Sequence, residues 1–153
     1  MRWLLLDEVL EIRQGTVARA RSHVPPAAFS HQMLLIEMMA QTAGLLLGAE
    51  FDYSRDVVFA KVQKASFSGE ALREEETLEI TAWCEQLRGD GAWFSAEVSQ
   101  KDKILGQARL LLMAPGNLLP EVKGSVTFHE TFMKHFQVRS RVHSSSQPFQ
   151  DPS

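Results

Sequence analysis

The sequence predicts an α+β fold in which an antiparallel sheet wraps around one central buried helix. Two observations carry this prediction. Residues 32–47 are apolar on nearly every side, which is typical of a helix inside a domain and not of one on its surface. From residue 57 to residue 113 the chain then reads as successive strands joined by short turns, the pattern of an antiparallel meander. One early helix followed by a run of strands places that helix against a face of the sheet.

The central helix is predicted to begin after Ser30, a good N-cap residue, and to end at Gly48. At about sixteen residues it is shorter than the roughly 20 residues that cross a bilayer. Glu37 and Gln41 also lie near its middle. We therefore interpret it as a core helix and not as a membrane span.

Strands are predicted on both sides of the helix. Before it, residues 2–13 form a turn or short helix that leads into a strand, and residues 16–24 form a second strand that Pro25 and Pro26 end. After it, strands are predicted for residues 57–67, 77–87, 92–99 and 104–113. Simple alternation places the side chains of Phe59, Lys61, Gln63, Ala65 and Phe67 on one face of the first of these. The same rule places Cys84 inward in the next strand.

Length and composition indicate one domain, residues 1–115, with a C-terminal extension, residues 116–153. Within the extension, three phenylalanines at four-residue spacing predict a short helix in residues 126–136, and residues 139–153 are predicted to be disordered. The net charge of −3 offers no basic surface for nucleic acid or an anionic membrane. One cysteine excludes an internal disulfide and a cysteine-based metal cluster, and the histidines complete no metal-binding spacing. The apolar residues 1–6 are too short for a signal peptide, so we expect a cytoplasmic protein.

Glu37 is the residue of the helix that needs an explanation. A carboxylate among apolar side chains is costly to bury unless it has partners or is protonated. Gln41 lies four residues further on the same face and can form a hydrogen bond with it. Glu37 is then either a structural residue that reaches a helix end or a subunit boundary, or a carboxyl group kept protonated for acid–base catalysis.

Three motifs in this order resemble the hotdog-fold 3-hydroxyacyl-ACP dehydratases. They are the opening LLLDEVLEI, the helix motif IEMMAQ that contains Glu37 and Gln41, and the strand FAKVQKASF of residues 59–67. The resemblance covers roughly residues 3–114. It implies a hotdog fold and a homodimer or a higher multiple, with a tunnel for an acyl-pantetheine chain. It also implies elimination of water from a 3-hydroxyacyl thioester of acyl carrier protein or coenzyme A, without a metal or other cofactor.

In this family a histidine removes the proton next to the thioester carbonyl and the helix carboxyl group protonates the leaving hydroxyl. The resemblance therefore assigns the acid to Glu37, and it places the histidine on the opposite subunit. His23 has the family spacing, fourteen residues before Glu37, and is followed by Val24-Pro25. His31 lies at the start of the helix, where the dipole favours a neutral imidazole. A third alternative is a divergent branch without a catalytic histidine, similar to dehydratase-like proteins of aryl-polyene pathways.

The resemblance also suggests which residues bind the ligand. Gln41, Gln32, Phe59 and Phe67 are predicted to bind the substrate. Lys61, Lys64 and Arg73 are predicted to contact an acidic carrier protein, although each is also compatible with an ordinary solvated charge. Two other functions remain open on the same fold: an acyl-thioester hydrolase in which Glu37 activates water, and a non-catalytic partner subunit or acyl-binding module.

Overall fold

The computed structural model describes residues 5–24, 30–73, 76–116, 125 and 127–144. In chain order the elements are β1 (Glu8–Arg13), β2 (Val17–His23), α1 (His31–Glu50), β3 (Asp56–Phe67), β4 (Thr77–Arg88), β5 (Gly91–Gln100), β6 (Lys103–Gly116), α2 (Glu130–His135), α3 (Val138–Arg141) and β7 (Val142–His143). The strands form one sheet in the order β3-β6-β5-β4-β2-β1-β7. Neighbouring strands are antiparallel except β1 and β7, which are parallel.

Helix α1 packs against strands β1 to β6, which confirms the predicted sheet around a central helix. Met38 and Met39 are fully buried there. Ser30 caps the helix as predicted, because its Oγ accepts a hydrogen bond from the Met33 N–H at 3.2 Å. With 20 residues the helix is long and apolar enough to cross a membrane, but most of it is buried inside the domain. It is therefore a core helix, although the argument from its length was wrong.

Gly48 does not end α1, as the sequence predicts, because the helix continues to Glu50. The glycine instead makes room for two aromatic rings. A Cβ at Gly48 would lie 2.5 Å from Cζ of Phe128 and 2.9 Å from Cδ1 of Tyr53. At Gly44, one turn earlier, a Cβ would make ordinary contacts of 3.8 Å with Leu112 and Val57. The two helical glycines thus differ in the space around them.

This difference predicts opposite effects of the same substitution. Gly44→Ala should stabilise the protein by about 0.5–1 kcal/mol, because alanine restricts the unfolded chain and favours the helix. Gly48→Ala restricts the unfolded chain in the same way, but it forces buried rings apart. We therefore expect the free energy of unfolding to fall by about 1–2 kcal/mol. Urea unfolding of both variants measures whether each substitution raises or lowers the free energy of unfolding. Equal effects of the two substitutions would contradict the packing of Phe128 on α1.

Strand β3 does not alternate regularly, so the prediction that its odd-numbered side chains from Phe59 to Phe67 share one face is wrong. Its pairing with β6 is interrupted by three register shifts. Each irregularity of this kind moves the following side chains to the other face. As a result Phe59 and Phe67 lie opposite the buried residues Leu112 and Gly106, whereas Gln63 contacts Arg109 on the outer surface.

Cys84 lies opposite the buried Phe94 and packs on the core, although it is only partly buried. Burial raises the pKa of the Cys84 thiol, and the Glu50 carboxylate raises it further. The reactive thiolate is therefore a minor species at neutral pH. We expect a thiol reagent to label the native protein several times more slowly than the unfolded protein, with a rate that rises with pH. Labelling of the native protein at the unfolded rate would contradict the inward position.

The C-terminal segment, Ser125 with residues 127–144, connects the two edges of the sheet. At its start the buried Asp56 of β3 accepts hydrogen bonds from Ser125 Oγ at 2.7 Å and from the Thr127 N–H at 2.8 Å. At its end β7 pairs with β1, and the Gln14 N–H donates to the His143 carbonyl at 3.0 Å. Strand β7 pairs only with Ile12 and Arg13 of β1, and β3, which pairs with β6 on one side, has no strand on its other side in the described part of the chain.

The C-terminal segment is more ordered than the sequence indicates. The helix predicted in residues 126–136 is present as α2, but α3 and β7 occupy positions from 138 to 143, where disorder is predicted from residue 139. Residues 145–153 of the predicted tail lie outside the described residues. Buried Phe136 and Val138 explain the order, since they attach the segment to the core.

Candidate active site

A cavity of about 320 Å³ lies between α1, the strands β3 and β6, and the C-terminal segment. This volume is at the lower end of the range of about 300–1,000 Å³ found for small-molecule sites. Its lining is formed by Leu6, Glu37, Ala40, Gln41, Gly44, Leu45, Val57, Phe59, Leu112, Thr127, Phe128 and Phe132. Apart from Glu37, Gln41 and Thr127 these side chains are apolar, so the cavity suits an apolar chain with one polar end.

Glu37 and Gln41 form the polar part of the lining, and both are half-buried. The Leu5 N–H donates to Oε1 of Gln41 at 3.0 Å, which fixes the orientation of the amide. Nε2 of Gln41 therefore faces Glu37 and donates to its Oε1 at 3.1 Å. An ionised carboxylate can accept this bond, and so can a carboxylic acid whose proton is on Oε2. The arrangement supports a proton donor or a proton acceptor at Oε2.

Three aromatic rings belong to the lining of the cavity. Phe59 of β3 is 45% exposed. Phe128 and Phe132 of the C-terminal segment form an aromatic wall, with ring centroids 6.1 Å apart. The series continues to Tyr53, 5.0 Å from Phe128, and to Phe136, 4.9 Å from Phe132. Burial raises the pKa of Tyr53 against the opposing effect of Arg139, so its phenol stays neutral and packs as an aromatic ring.

The cavity contains three of the predicted site residues: Glu37, Gln41 and Phe59. Neither predicted histidine lines it within this chain. His23 ends β2 on the exposed surface, where its Nδ1 lies 2.5 Å from Oδ2 of Asp7. His31 is exposed at the start of α1.

The remaining predicted residues also lie outside the cavity. Gln32 is exposed in the first turn of α1, and Phe67 packs beside Gly106. Lys61 and Lys64 are exposed on β3. Arg73 is exposed and lies 3.7 Å from the Glu76 carboxylate.

Several solved structures resemble this one over most of both chains. The dehydratase heterocomplex ApeI:P from Xenorhabdus doucetiae matches with a TM-score of 0.62 and 20% identity, over 74% of this chain and 84% of that chain. The smu.793 protein from Streptococcus mutans, bound to acetyl CoA, matches with a TM-score of 0.60 and 14% identity, over 76% and 94% of the two chains. A hypothetical thioesterase from Streptococcus pneumoniae with coenzyme A matches with a TM-score of 0.59 and 12% identity, over 76% and 98%.

The chain has the hotdog fold. No protein-family model matches the sequence, and no curated protein matches it. At 12–20% identity the structural likeness establishes the fold alone. Because one fold hosts many different reactions, the choice between the predicted reactions depends on the residues of the site.

Among the described residues that line the cavity of this hotdog domain, Glu37 supplies the one carboxyl group. Within the described ranges, no group of three or more His, Cys, Asp and Glu side chains could hold a metal ion. The Glu37 carboxyl group can transfer a proton, and Gln41 holds this group in place.

Sequence reasoning missed Leu6, Thr127, Phe128 and Phe132 as part of the site. The four-residue spacing of the phenylalanines indicated a helix but gave no sign of what it packs against. A usable signal was Gly48, because a glycine inside a helix often marks a close approach by another group. Here that group is the ring of Phe128.

Proposed function

We propose that this hotdog protein eliminates water from a 3-hydroxyacyl thioester, with Glu37 as the proton donor. The observation that carries the proposal is the Glu37–Gln41 pair in the lining of a mostly apolar cavity. The apolar walls fit the acyl chain, and the carboxyl group can reach a hydroxyl on that chain. Similarity to a dehydratase complex and to coenzyme A-bound proteins supports a thioester substrate.

The elimination needs a base as well as an acid. The base removes a proton from the carbon next to the thioester carbonyl. The bond from the neighbouring carbon to its hydroxyl breaks as Oε2 of Glu37 gives its proton to the leaving oxygen, and the products are an enoyl thioester and water. This reaction needs no redox cofactor, since no net oxidation or reduction occurs.

We propose that the base is a histidine of a second subunit, His23 or His31, because no histidine is found in the described lining of the cavity. The open edge of β3 offers the surface on which two sheets can join. We therefore expect a homodimer or a higher multiple. Light scattering at micromolar concentration should give at least twice the mass of one chain, and a monomer would contradict a site shared between subunits.

Acyl carrier protein is the proposed carrier of the substrate, with a coenzyme A thioester as the alternative, and the cytoplasm is the proposed location. Lys61, Lys64 and Arg73 are exposed and provide positive charge for an acidic carrier protein. If they form the contact, Lys61→Glu with Lys64→Glu should raise KM for a carrier-protein thioester and leave KM for the coenzyme A thioester unchanged.

Product analysis tests the proposed function against its two alternatives. The purified protein is incubated with 3-hydroxyacyl thioesters of several lengths, and the products are identified by mass spectrometry. An enoyl thioester is the expected product. A free thiol would identify a thioester hydrolase with Glu37 as the base. No product at any length would favour a non-catalytic partner subunit or acyl-binding module, as a neighbour that forms a heterocomplex allows.

A further inference from the structure

We propose that Phe132, supplied by the C-terminal segment, limits the length of the acyl chain that the cavity accepts. This inference rests on the proposed function, because it assigns the acyl chain to the cavity beside Glu37. It concerns a part of the chain outside the sheet and central helix. The C-terminal segment contributes Thr127, Phe128 and Phe132 to the lining, beside residues of β3 and β6.

The cavity extends along α1 from Glu37 towards the aromatic wall. Glu37, Gln41, Gly44 and Leu45 line it and lie on one face of the helix, at intervals of four, three and one residues. Further along, Phe128 packs against Gly48. At 1.5 Å per residue, Gly48 is about 16 Å beyond Glu37 along the helix axis. A chain with its reacting carbons at Glu37 therefore grows towards Phe128 and Phe132.

Phe132 is held in place by its neighbours. Its ring lies between Phe128, at a centroid distance of 6.1 Å, and Phe136, at 4.9 Å. It is half-buried, with part of its surface on the cavity. Phe136 is buried in the core and does not line the cavity, so the two rings share a packing environment but differ in their access to a ligand.

The C-terminal segment itself is fixed to the domain. Asp56 holds the start of the segment through hydrogen bonds, and the pairing of β7 with β1 holds its end. Between these two points, Arg139 of the segment forms an ion pair with Asp52 at 2.7 Å. A wall anchored at several points defines the size of the cavity and does not simply move away from a longer ligand. Because the cavity has a volume of only about 320 Å³, removal or enlargement of one aromatic ring changes the available space substantially.

The test compares three variants on a series of 3-hydroxyacyl-coenzyme A substrates of increasing length. Phe132→Ala should raise the ratio of kcat/KM for long over short chains by about tenfold or more, since one methylene in an apolar site changes discrimination by roughly 10–200-fold. Phe132→Trp should shift the preference towards shorter chains. Val138→Ala is the matched control: Val138 is fully buried in the same segment and does not line the cavity, so this variant should destabilise the segment but keep the length preference of the wild type.

Binding separates this inference from the proposed reaction. Calorimetry with saturated acyl-coenzyme A of the same lengths reports the length preference whether or not the protein dehydrates anything. Opposite shifts in Phe132→Ala and Phe132→Trp, in turnover or in binding, support the inference. The inference is overturned if both Phe132 variants keep the length profile of the wild type, if Val138→Ala shifts the profile equally, or if the protein binds no acyl-coenzyme A.

Discussion

Replacing Glu37 by Gln is expected to lower the turnover of a 3-hydroxyacyl thioester by about a hundredfold or more, the scale for loss of a general acid. Glutamine has nearly the same size and can still accept the hydrogen bond that Nε2 of Gln41 donates. It cannot give a proton to the leaving hydroxyl. The fold should therefore survive while the chemical step is lost, so kcat should fall more than KM changes.

Glu50→Gln is the matched control. Glu50 lies on the same helix, is half-buried like Glu37, and does not line the cavity. The control should keep the wild-type rate. If Glu37→Gln and Glu50→Gln both keep that rate, the acid–base assignment is wrong.

The two histidines extend the same experiment. If the base is His23 or His31, its alanine variant should lose about as much activity as Glu37→Gln. Combining it with Glu37→Gln should lower the rate little further, because residues that act as a unit are not additive. The other histidine should be replaceable without loss. Wild-type rates in both alanine variants would contradict a histidine base.

The largest expected effect on stability is that of Asp56→Ala, a loss of about 3 kcal/mol. The side chain is fully buried, and its Oδ1 accepts bonds from Ser125 Oγ and the Thr127 N–H. Alanine leaves the Thr127 N–H without this acceptor, at a cost of about 1–3 kcal/mol, whereas Ser125 Oγ can still donate to the Arg55 carbonyl at 3.3 Å. The substitution also releases the turn in which Ser125 Oγ accepts from the Phe128 N–H at 3.0 Å. Chemical denaturation measures the total loss, and limited proteolysis reports whether the C-terminal segment opens first.

Asp52→Asn provides a control for the same segment, because asparagine removes the charge but tolerates the left-handed backbone at this position, φ 49°. Asp52 pairs with Arg139 at 2.7 Å, but its side chain is 85% exposed. An exposed ion pair contributes about 0–1 kcal/mol, so this variant should remain close to the wild type. A similar small effect at Asp56 would show that the buried contacts do not anchor the segment.

The sequence predicted the core helix and the strands well because both follow local periodicity. The apolar run around Met38 and Met39 had to be buried, and turn residues separated the strands of the meander. Periodicity failed where the structure depends on distant residues. The irregularities of β3 lie in its pairing with β6, and Gly48 makes room inside α1 for a ring that lies 80 residues further along the chain.

The residues of the candidate site likewise differ in whether local sequence patterns predict them. Glu37 and Gln41 are four residues apart on one helix, so their contact could be predicted from spacing alone. Phe128 and Phe132 reach the cavity from a distant segment that Asp56 helps to hold, and no local pattern connects these positions. A histidine from a second subunit would likewise have no signature in the spacing of one chain, so its assignment stays a prediction.

The central claim is that Glu37 transfers a proton during reversible dehydration. The most direct test runs the reaction in reverse and follows which product takes up the oxygen of labelled water. An enoyl thioester is incubated with the protein in water enriched in heavy oxygen, and the label is located by mass spectrometry. The account predicts label in the 3-hydroxyl group of a hydrated thioester, formed by the wild type and by Glu50→Gln but not by Glu37→Gln. Label in the carboxylate of a released acid would contradict it and identify a hydrolase.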